Sequence, residues 1–196
     1  MSRLALLRHG PTGWNRAGRL QGRTDVPLSA EGRRQAAEKH LPDCLATAIW
    51  HTSPLARATE TARLLGLGES RVEPRLIEMD FGRFEGRRLA ELRAELGPEM
   101  AANEARGLDF QPPEGESPRQ VQARLRPWLG ECAAAGGDHV AVCHKAVIRA
   151  VLALAFDWDM TGKPPVRLDW SALHLFRLDA DGRPRALRLN LPLERR

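Results

Sequence analysis

The stretch "HVAVCHKAVIRAVLALAF" (139–156) passes from one structural pattern to another in a single step. "HVAVCH" (139–144) is a short apolar run with valines, which reads as a strand. "KAVIRAVLALAF" (145–156) is strongly apolar over a length that suits a buried helix. A strand feeding straight into a helix is the repeating unit of an α/β domain. The same alternation recurs elsewhere. "LALLR" (4–8), "TAIWHT" (47–52) and "ALHLFRL" (172–178) read as strands, and "RALRLN" (185–190) is a weaker one. Helices are expected at 29–41 from an N-cap Ser29, and at 53–65 from Ser53 with Pro54 in the first turn. A third is expected at 117–135, where Ser117 and Gln120 form a capping-box pair. The expected fold is therefore α/β with a largely parallel sheet.

Length and composition narrow the class. The 196 residues suit one domain spanning 1–196, with 42% hydrophobic and 28% charged residues. Residues 98–116 are rich in Pro, Gly and acids and read as an insertion or lid over a site. Net charge is +5 and the pI is about 9.8, which admits an anionic partner. The arginines are nevertheless scattered among acids, with no basic block interleaved with aromatics, so no nucleic-acid partner is expected. Cys44, Cys132 and Cys143 form no CxxC spacing, which gives neither a zinc site nor a disulfide framework. No run approaches the ~18 apolar residues of a membrane span. A cytoplasmic protein without a membrane partner is the expectation.

Three polar residues fall at strand ends. His9 follows the first strand, Arg57 lies where a helix starts after the second, and His144 follows "HVAVC". Open α/β sheets bind ligands beyond the carboxyl ends of their strands, so these residues converge on one rim. Arg8 and Arg57 carry planar forks that match phosphate oxygens. Asn15 adds an amide donor, and His144 stands at a helix N-terminus that favours anions. A neutral His9, expected to be exposed at its strand end, can attack phosphorus and become phosphohistidine. The leaving alkoxide needs a proton. "RLIEMDFGRFEG" (75–86) supplies Glu78, Asp80 and Glu85, of which Glu78 is preferred because it ends an apolar run, with Glu85 second. This chemistry requires neither metal nor cofactor. His51 reads as core or rim, and His40, His139 and His174 as structural.

The ordered blocks "LLRHGPTGWN", "GRLQGRTDVPLSAEGRRQA", "SPLARATETA", "EMDFGRFEG", "PEGES" and "VAVCHKAVIRA" resemble the signature of the histidine phosphatase superfamily, the phosphoglycerate mutase-like proteins. The resemblance implies a three-layer α/β/α sandwich. It implies His9 as the phosphorylated nucleophile, Glu78 as proton donor, and Arg8, Arg57 and His144 as the phosphate pocket. Asn15, Gln21 and Gly22 would line that pocket too. Length and the third block look similar to the family's small phosphatases, α-ribazole phosphatases among them. One position departs from the pattern. Lys145 stands where the family usually has glycine, either to meet a second anion on the substrate or to reach into solvent. The activity implied is phosphomonoester hydrolysis of a small phosphorylated metabolite. Phosphoglycerate mutase activity and a catalytically silent phosphate-binding module are the alternatives. A homodimer is admitted if "ALHLFRL" forms an edge strand.

Overall fold

The computed structural model describes residues 2–196. The chain forms β1 (Ser2–Arg8), α1 (Gly13–Arg16), α2 (Ala30–Ala37), β2 (Lys39–His40), β3 (Ile49–Thr52), α3 (Ala56–Leu64) and β4 (Arg71–Val72). It continues through α4 (Leu89–Glu104), α5 (Pro118–Ala135), β5 (Gly137–Cys143), α6 (Lys145–Phe156), β6 (Leu173–Leu178), β7 (Pro184–Leu191) and β8 (Glu194–Arg195). A six-stranded sheet runs in the order β4-β3-β5-β1-β6-β7. Strands β4, β3, β5 and β1 are mutually parallel, and β6 is antiparallel to both β1 and β7. The small β2–β8 ladder stands apart.

The pleat explains the layers. Alternate residues of a strand face opposite sides, and here both sides are apolar, as for a sheet covered on both faces. Leu4, Leu6, Ala141, Cys143 and Phe176 pack under α5 and α6 with Val121, Leu125, Trp128, Ile148 and Val151. Ala5, Leu7, Val140, Val142 and Leu173 face the other way and pack with Ala58 and Ala62 of α3. The result is the α/β/α sandwich. Burying each such Leu or Val side chain contributes about 1.5–3 kcal/mol before entropy is set against it.

A third apolar cluster lies apart from the sheet. Phe84, Leu92 and Met100 form it, with Leu20, Phe81, Leu89, Leu96 and Phe110 packed around. Most of it comes from α4 and its flanks. α4 is kinked where Gly97 takes φ 48° and ψ −121° ahead of Pro98. Proline lacks the N–H for the helical ladder, so the helix breaks there. Arg93 and Glu104 are joined across the kink at 2.8 Å.

Several expectations need correction. The helix expected at 53–65 begins at Ala56, and Ser53 makes no N-cap. The Asp25 carboxylate accepts from the Ala56 amide instead, at 2.9 Å, while the Ser53 hydroxyl is drawn to His144. The helix expected at 29–41 stops at Ala37, because Lys39–His40 pair with β8. "ALHLFRL" forms β6, which is hydrogen-bonded on both sides and is not an edge, so it offers no pairing surface for a second subunit. The segment 98–116 is helical only to Glu104, as the second half of α4. The expected caps at Ser29 and Ser117 are both present.

Candidate active site

Parallel register places the site. Arg8 is paired with Cys143 and Thr52 with Val142, so the three strands end on one level. The residues that follow, His9, Ser53 and His144, leave the sheet side by side. The imidazoles of His9 and His144 have centroids 5.1 Å apart. His9 is not exposed as expected: it retains 6% of its accessible surface. The loop of Gly10 and Pro11 and the residues Arg8 and Asn15 close around it.

The His9 ring is fixed by one bond. Nδ1 lies 2.7 Å from the Gly10 carbonyl oxygen. A carbonyl only accepts, so Nδ1 carries the proton and Nε2 keeps its lone pair. Burial, with Arg8 and Arg57 nearby, holds the imidazole pKa well below the usual histidine range. The ring is therefore neutral at pH 7. His144 is neutral for the same reasons: burial first, then His9 and the two arginines. Its Nε2 lies 2.7 Å from Ser53 Oγ. The Leu55 amide donates to that oxygen at 3.4 Å. The Ser53 hydroxyl can donate to Nε2 or accept from it, and where it donates, Nδ1 carries the ring's hydrogen.

Arg57 is fully buried, near enough to His9 to help lower its pKa. It donates to Gly22 O at 2.7 Å and to Thr24 O at 3.0 Å. Gly22 is required here. A Cβ at that position would come 2.0 Å from Glu85 Oε1 and 2.9 Å from Met79 O. Gln21 is held by its oxygen, which accepts from Thr12 Oγ1 at 2.8 Å and Asn15 Nδ2 at 3.3 Å. Its amide nitrogen is thereby turned into the pocket. Asn15 Oδ1 accepts from the Thr12 amide at 3.0 Å, so Asn15 braces Gln21 as well as lining the cavity. Arg8 Nε, Arg57 Nε, Gln21 Nε2 and His144 Nδ1 are buried and have no protein partner. Buried polar groups are nearly always hydrogen-bonded. Arg8 and Arg57 are close enough to His9 to lower its pKa, His144 stands 5.1 Å from it and Gln21 shares its cavity, so an anion bound beside this imidazole would satisfy them and complete a cradle.

The two carboxylate candidates separate cleanly. Glu78 retains 4% of its surface, and burial raises its pKa against the pull of the Met79 and Ala146 amides and of Arg57 and Arg8. Glu85 is also pushed up by burial. Hydrogen bonds from Thr24, from the Arg23 amide at 2.7 Å and from the Phe81 amide outweigh that push and leave its pKa lowered. Glu85 is thus an ionised brace for the 22–24 loop. Glu78 lines the cavity with His9 and Arg8. Lys145 lines the same cavity and is exposed, with its ammonium 5.1 Å from the Trp170 ring centroid.

The cavity holding His9, Glu78 and Lys145 measures about 690 Å³. A second, of about 570 Å³, meets it at Arg8, His9 and Asn15 and runs toward Trp170. Away from the rim, His51, His139 and Cys132 are the one close set of potential metal ligands among the described residues. His51 Nε2 and His139 Nδ1 are 3.1 Å apart and His139 Nε2 donates to Gly136 O, so these bonds account for the ring contacts. The sequence reading missed Ser53, Thr12, Thr61 and Asp25. Thr61 Oγ1 accepts from the Gly10 amide at 2.9 Å and donates to Arg57 O at 2.6 Å. Ser53, Thr61 and Asp25 brace residues 91, 51 and 31 positions away, which no local pattern records, whereas Thr12 acts locally on Asn15 and Gln21.

Comparisons with known proteins agree with this layout. The family model of the histidine phosphatase superfamily (branch 1) matches residues 4–192. A 2,3-bisphosphoglycerate-dependent phosphoglycerate mutase 2 of Gloeobacter violaceus is 33% identical over 163 residues, covering 78% of this chain and 74% of the mutase. A bifunctional protein of Mycobacterium tuberculosis is 34% identical over 92% of this chain, which spans 51% of that protein. Among solved structures, a mycobacterial glucosyl-3-phosphoglycerate phosphatase in complex with VO3 superposes with a TM-score of 0.77 at 28% identity, covering 97% of this chain and 98% of that one. No helix among the described residues is long and apolar enough to cross a membrane.

Proposed function

The chain belongs to the histidine phosphatase superfamily, branch 1, and from that premise we propose that it is a phosphomonoesterase working through phospho-His9. The observation that carries this reading is the freed Nε2 of His9 beside four unpartnered buried nitrogens. The phosphoryl group of a monoester sits in that cradle. Nε2 attacks phosphorus opposite the ester oxygen, the P–N bond forms, and the P–O bond to the alcohol breaks. Arg8, Arg57, Gln21 and His144 hold the equatorial oxygens as charge spreads over them. Glu78, whose pKa burial raises, gives its proton to the departing oxygen. The alcohol leaves, and Glu78 is now the base that takes a proton from an incoming water. That water's oxygen displaces Nε2, releasing inorganic phosphate and restoring His9.

The cations of Arg8 and Arg57 supply the charge that a metal ion supplies elsewhere, so activity without added metal is expected. The test is para-nitrophenyl phosphate hydrolysis in the presence of a chelator, followed by rapid-quench mass spectrometry of the peptide holding His9. Hydrolysis with a transient gain of one phosphoryl group on that peptide supports the reading. Loss of activity with chelator and recovery with magnesium overturns it.

The relatives favour one second reading. Several carry mutase names, and a mutase would return the phosphoryl group from His9 to its substrate rather than to water. Interconversion of 3- and 2-phosphoglycerate without phosphate release would select it. A silent binding module would show phosphate affinity with neither activity. The neighbouring phosphatase and mutases act on phosphorylated acids by their names. An α-ribazole phosphate substrate has no support from them.

A further inference from the structure

We infer that Lys145 and Arg149 form a second anion subsite, so that the substrate is a phosphomonoester whose alcohol part itself carries a carboxylate or a second phosphate. The inference rests on the phosphatase reading and adds the substrate class. Both residues line the cavity of about 690 Å³ that holds His9, Arg8 and Glu78. They are four apart on α6 and so share one face of the helix.

Most of what is local opposes two cations there, Glu78 being the group that favours the Lys145 charge. They stand in the first turn and a half of α6, where the helix dipole favours negative charge. The first turn contains no acidic residue to offset them. They also repel each other and Arg8, as the lowered Lys145 pKa reflects, burial contributing first. Neither of the two is ion-paired with an acid among the described residues, whereas Arg93, on the same cavity, is held by Glu104 at 2.8 Å. Lys145 and Arg149 have aromatic faces instead. The Lys145 ammonium lies 5.1 Å from the Trp170 ring centroid, and the Arg149 guanidinium 5.1 Å from that of Trp158. A ring holds a cation in place without neutralising it. Both charges therefore stay unneutralised on residues that line the cavity. When several local preferences fail together at one place, function is the usual reason.

The same cavity has apolar lining from Leu20, Phe81, Leu89, Phe110 and Met160, beside the Arg93–Glu104 pair. A substrate fitting this space has its phosphate on the cradle, a short carbon body against that lining, and a second negative group toward α6. A low-polarity wall strengthens the attraction between that group and the two cations.

The test uses two matched substrate pairs with the intact protein. Glycerol 3-phosphate and 3-phosphoglycerate differ by a carboxylate. Fructose 6-phosphate and fructose 1,6-bisphosphate differ by a phosphate. In each, kcat/KM is measured for wild type, Lys145→Met, Lys145→Arg and Arg149→Gln, with thermal unfolding as a check on folding. The expected result is a preference for the charged member in at least one pair. That preference falls about tenfold or more in Lys145→Met and Arg149→Gln, chiefly through KM, and returns in Lys145→Arg. Which pair responds tells carboxylate from phosphate. No preference in either pair, or a preference that neither neutral variant changes, overturns the subsite and leaves the phosphatase reading intact. If para-nitrophenyl phosphate and all four esters go unhydrolysed, both readings fall.

Discussion

Ser53→Ala removes one oxygen and tests how His144 is held. Ser53 and His144 are both fully buried, and the Oγ–Nε2 separation is 2.7 Å. The alanine leaves a ring nitrogen without a partner where water cannot replace it. An unsatisfied buried polar group costs about 1–3 kcal/mol. The 3.4 Å bond from the Leu55 amide is too long to add much. For a chain of this size each kcal/mol lowers Tm by about 2–4 °C, so a fall of roughly 2–12 °C is expected by calorimetry. Activity should suffer in its own way. Without the hydroxyl, the ring loses the bond that orients it and selects its tautomer. Loss of a whole oxyanion donor costs about 10²–10³ in kcat. Partial loss should cost about tenfold, read as kcat on para-nitrophenyl phosphate at a temperature well below the new Tm. A variant with wild-type Tm and wild-type kcat would refute the assignment of Ser53 as the brace of His144.

Three other substitutions probe the remaining parts. Glu78→Gln should lower kcat/KM for alkyl phosphates by about 10²–10⁴ and spare para-nitrophenyl phosphate, whose phenolate leaves readily; equal losses on both would remove Glu78 as donor. The same variant carries a pH signature. Burial raises the Glu78 pKa in the folded state, so its contribution is intact below the ordinary carboxyl range and is lost as pH rises through the raised value. The amide that replaces it does not titrate, so the Tm of the variant should gain on wild type as pH rises through that window; a constant difference contradicts the burial argument. Gly22→Ala forces a Cβ to within 2.0 Å of Glu85 Oε1, and should destabilise by about 1–3 kcal/mol while raising KM through Arg57; an unchanged urea midpoint would show that the loop shifts freely. Gly97→Ala meets no atom within 4 Å, so its cost is backbone strain alone, about 1–2 kcal/mol; no change in Tm would mean that the kink relaxes.

Most of the sheet was legible because its strands are apolar on both faces and end abruptly in polar residues, as "LALLRHG" and "HVAVCH" do. The helix at 145–156 agrees to the residue, since His144 breaks the strand and the apolar run that follows is uninterrupted. α4 was read poorly for a physical reason. Gly97 and Pro98 interrupt it, and its two halves face a small cluster of their own, so no single apolar stripe runs along it. Ser53 looked like a cap because Ser-Pro is a common helix opening. Its hydroxyl was claimed by a ring 91 residues away, which no local pattern records. Edge or centre was equally hidden in "ALHLFRL", because antiparallel pairing with β7 depends on a hairpin rather than on the strand's own residues. His9 stands on the rim, where the strand end put it, but it was expected in the open. Its burial comes from the loops that fold over it.

The apolar cluster around Phe84, Leu92 and Met100 shares little with the layers that grip the sheet. The walls of the larger cavity hang on that cluster, whereas Arg8 and His9 hang on the end of β1, His144 on that of β5 and Arg57 on the first turn of α3. Under the proposed mechanism, selection of the alcohol and breakage of the ester bond thus have separate foundations. Residues near the kink could then be exchanged, and the cavity reshaped for a different partner molecule, while the groups proposed to touch phosphorus keep their places.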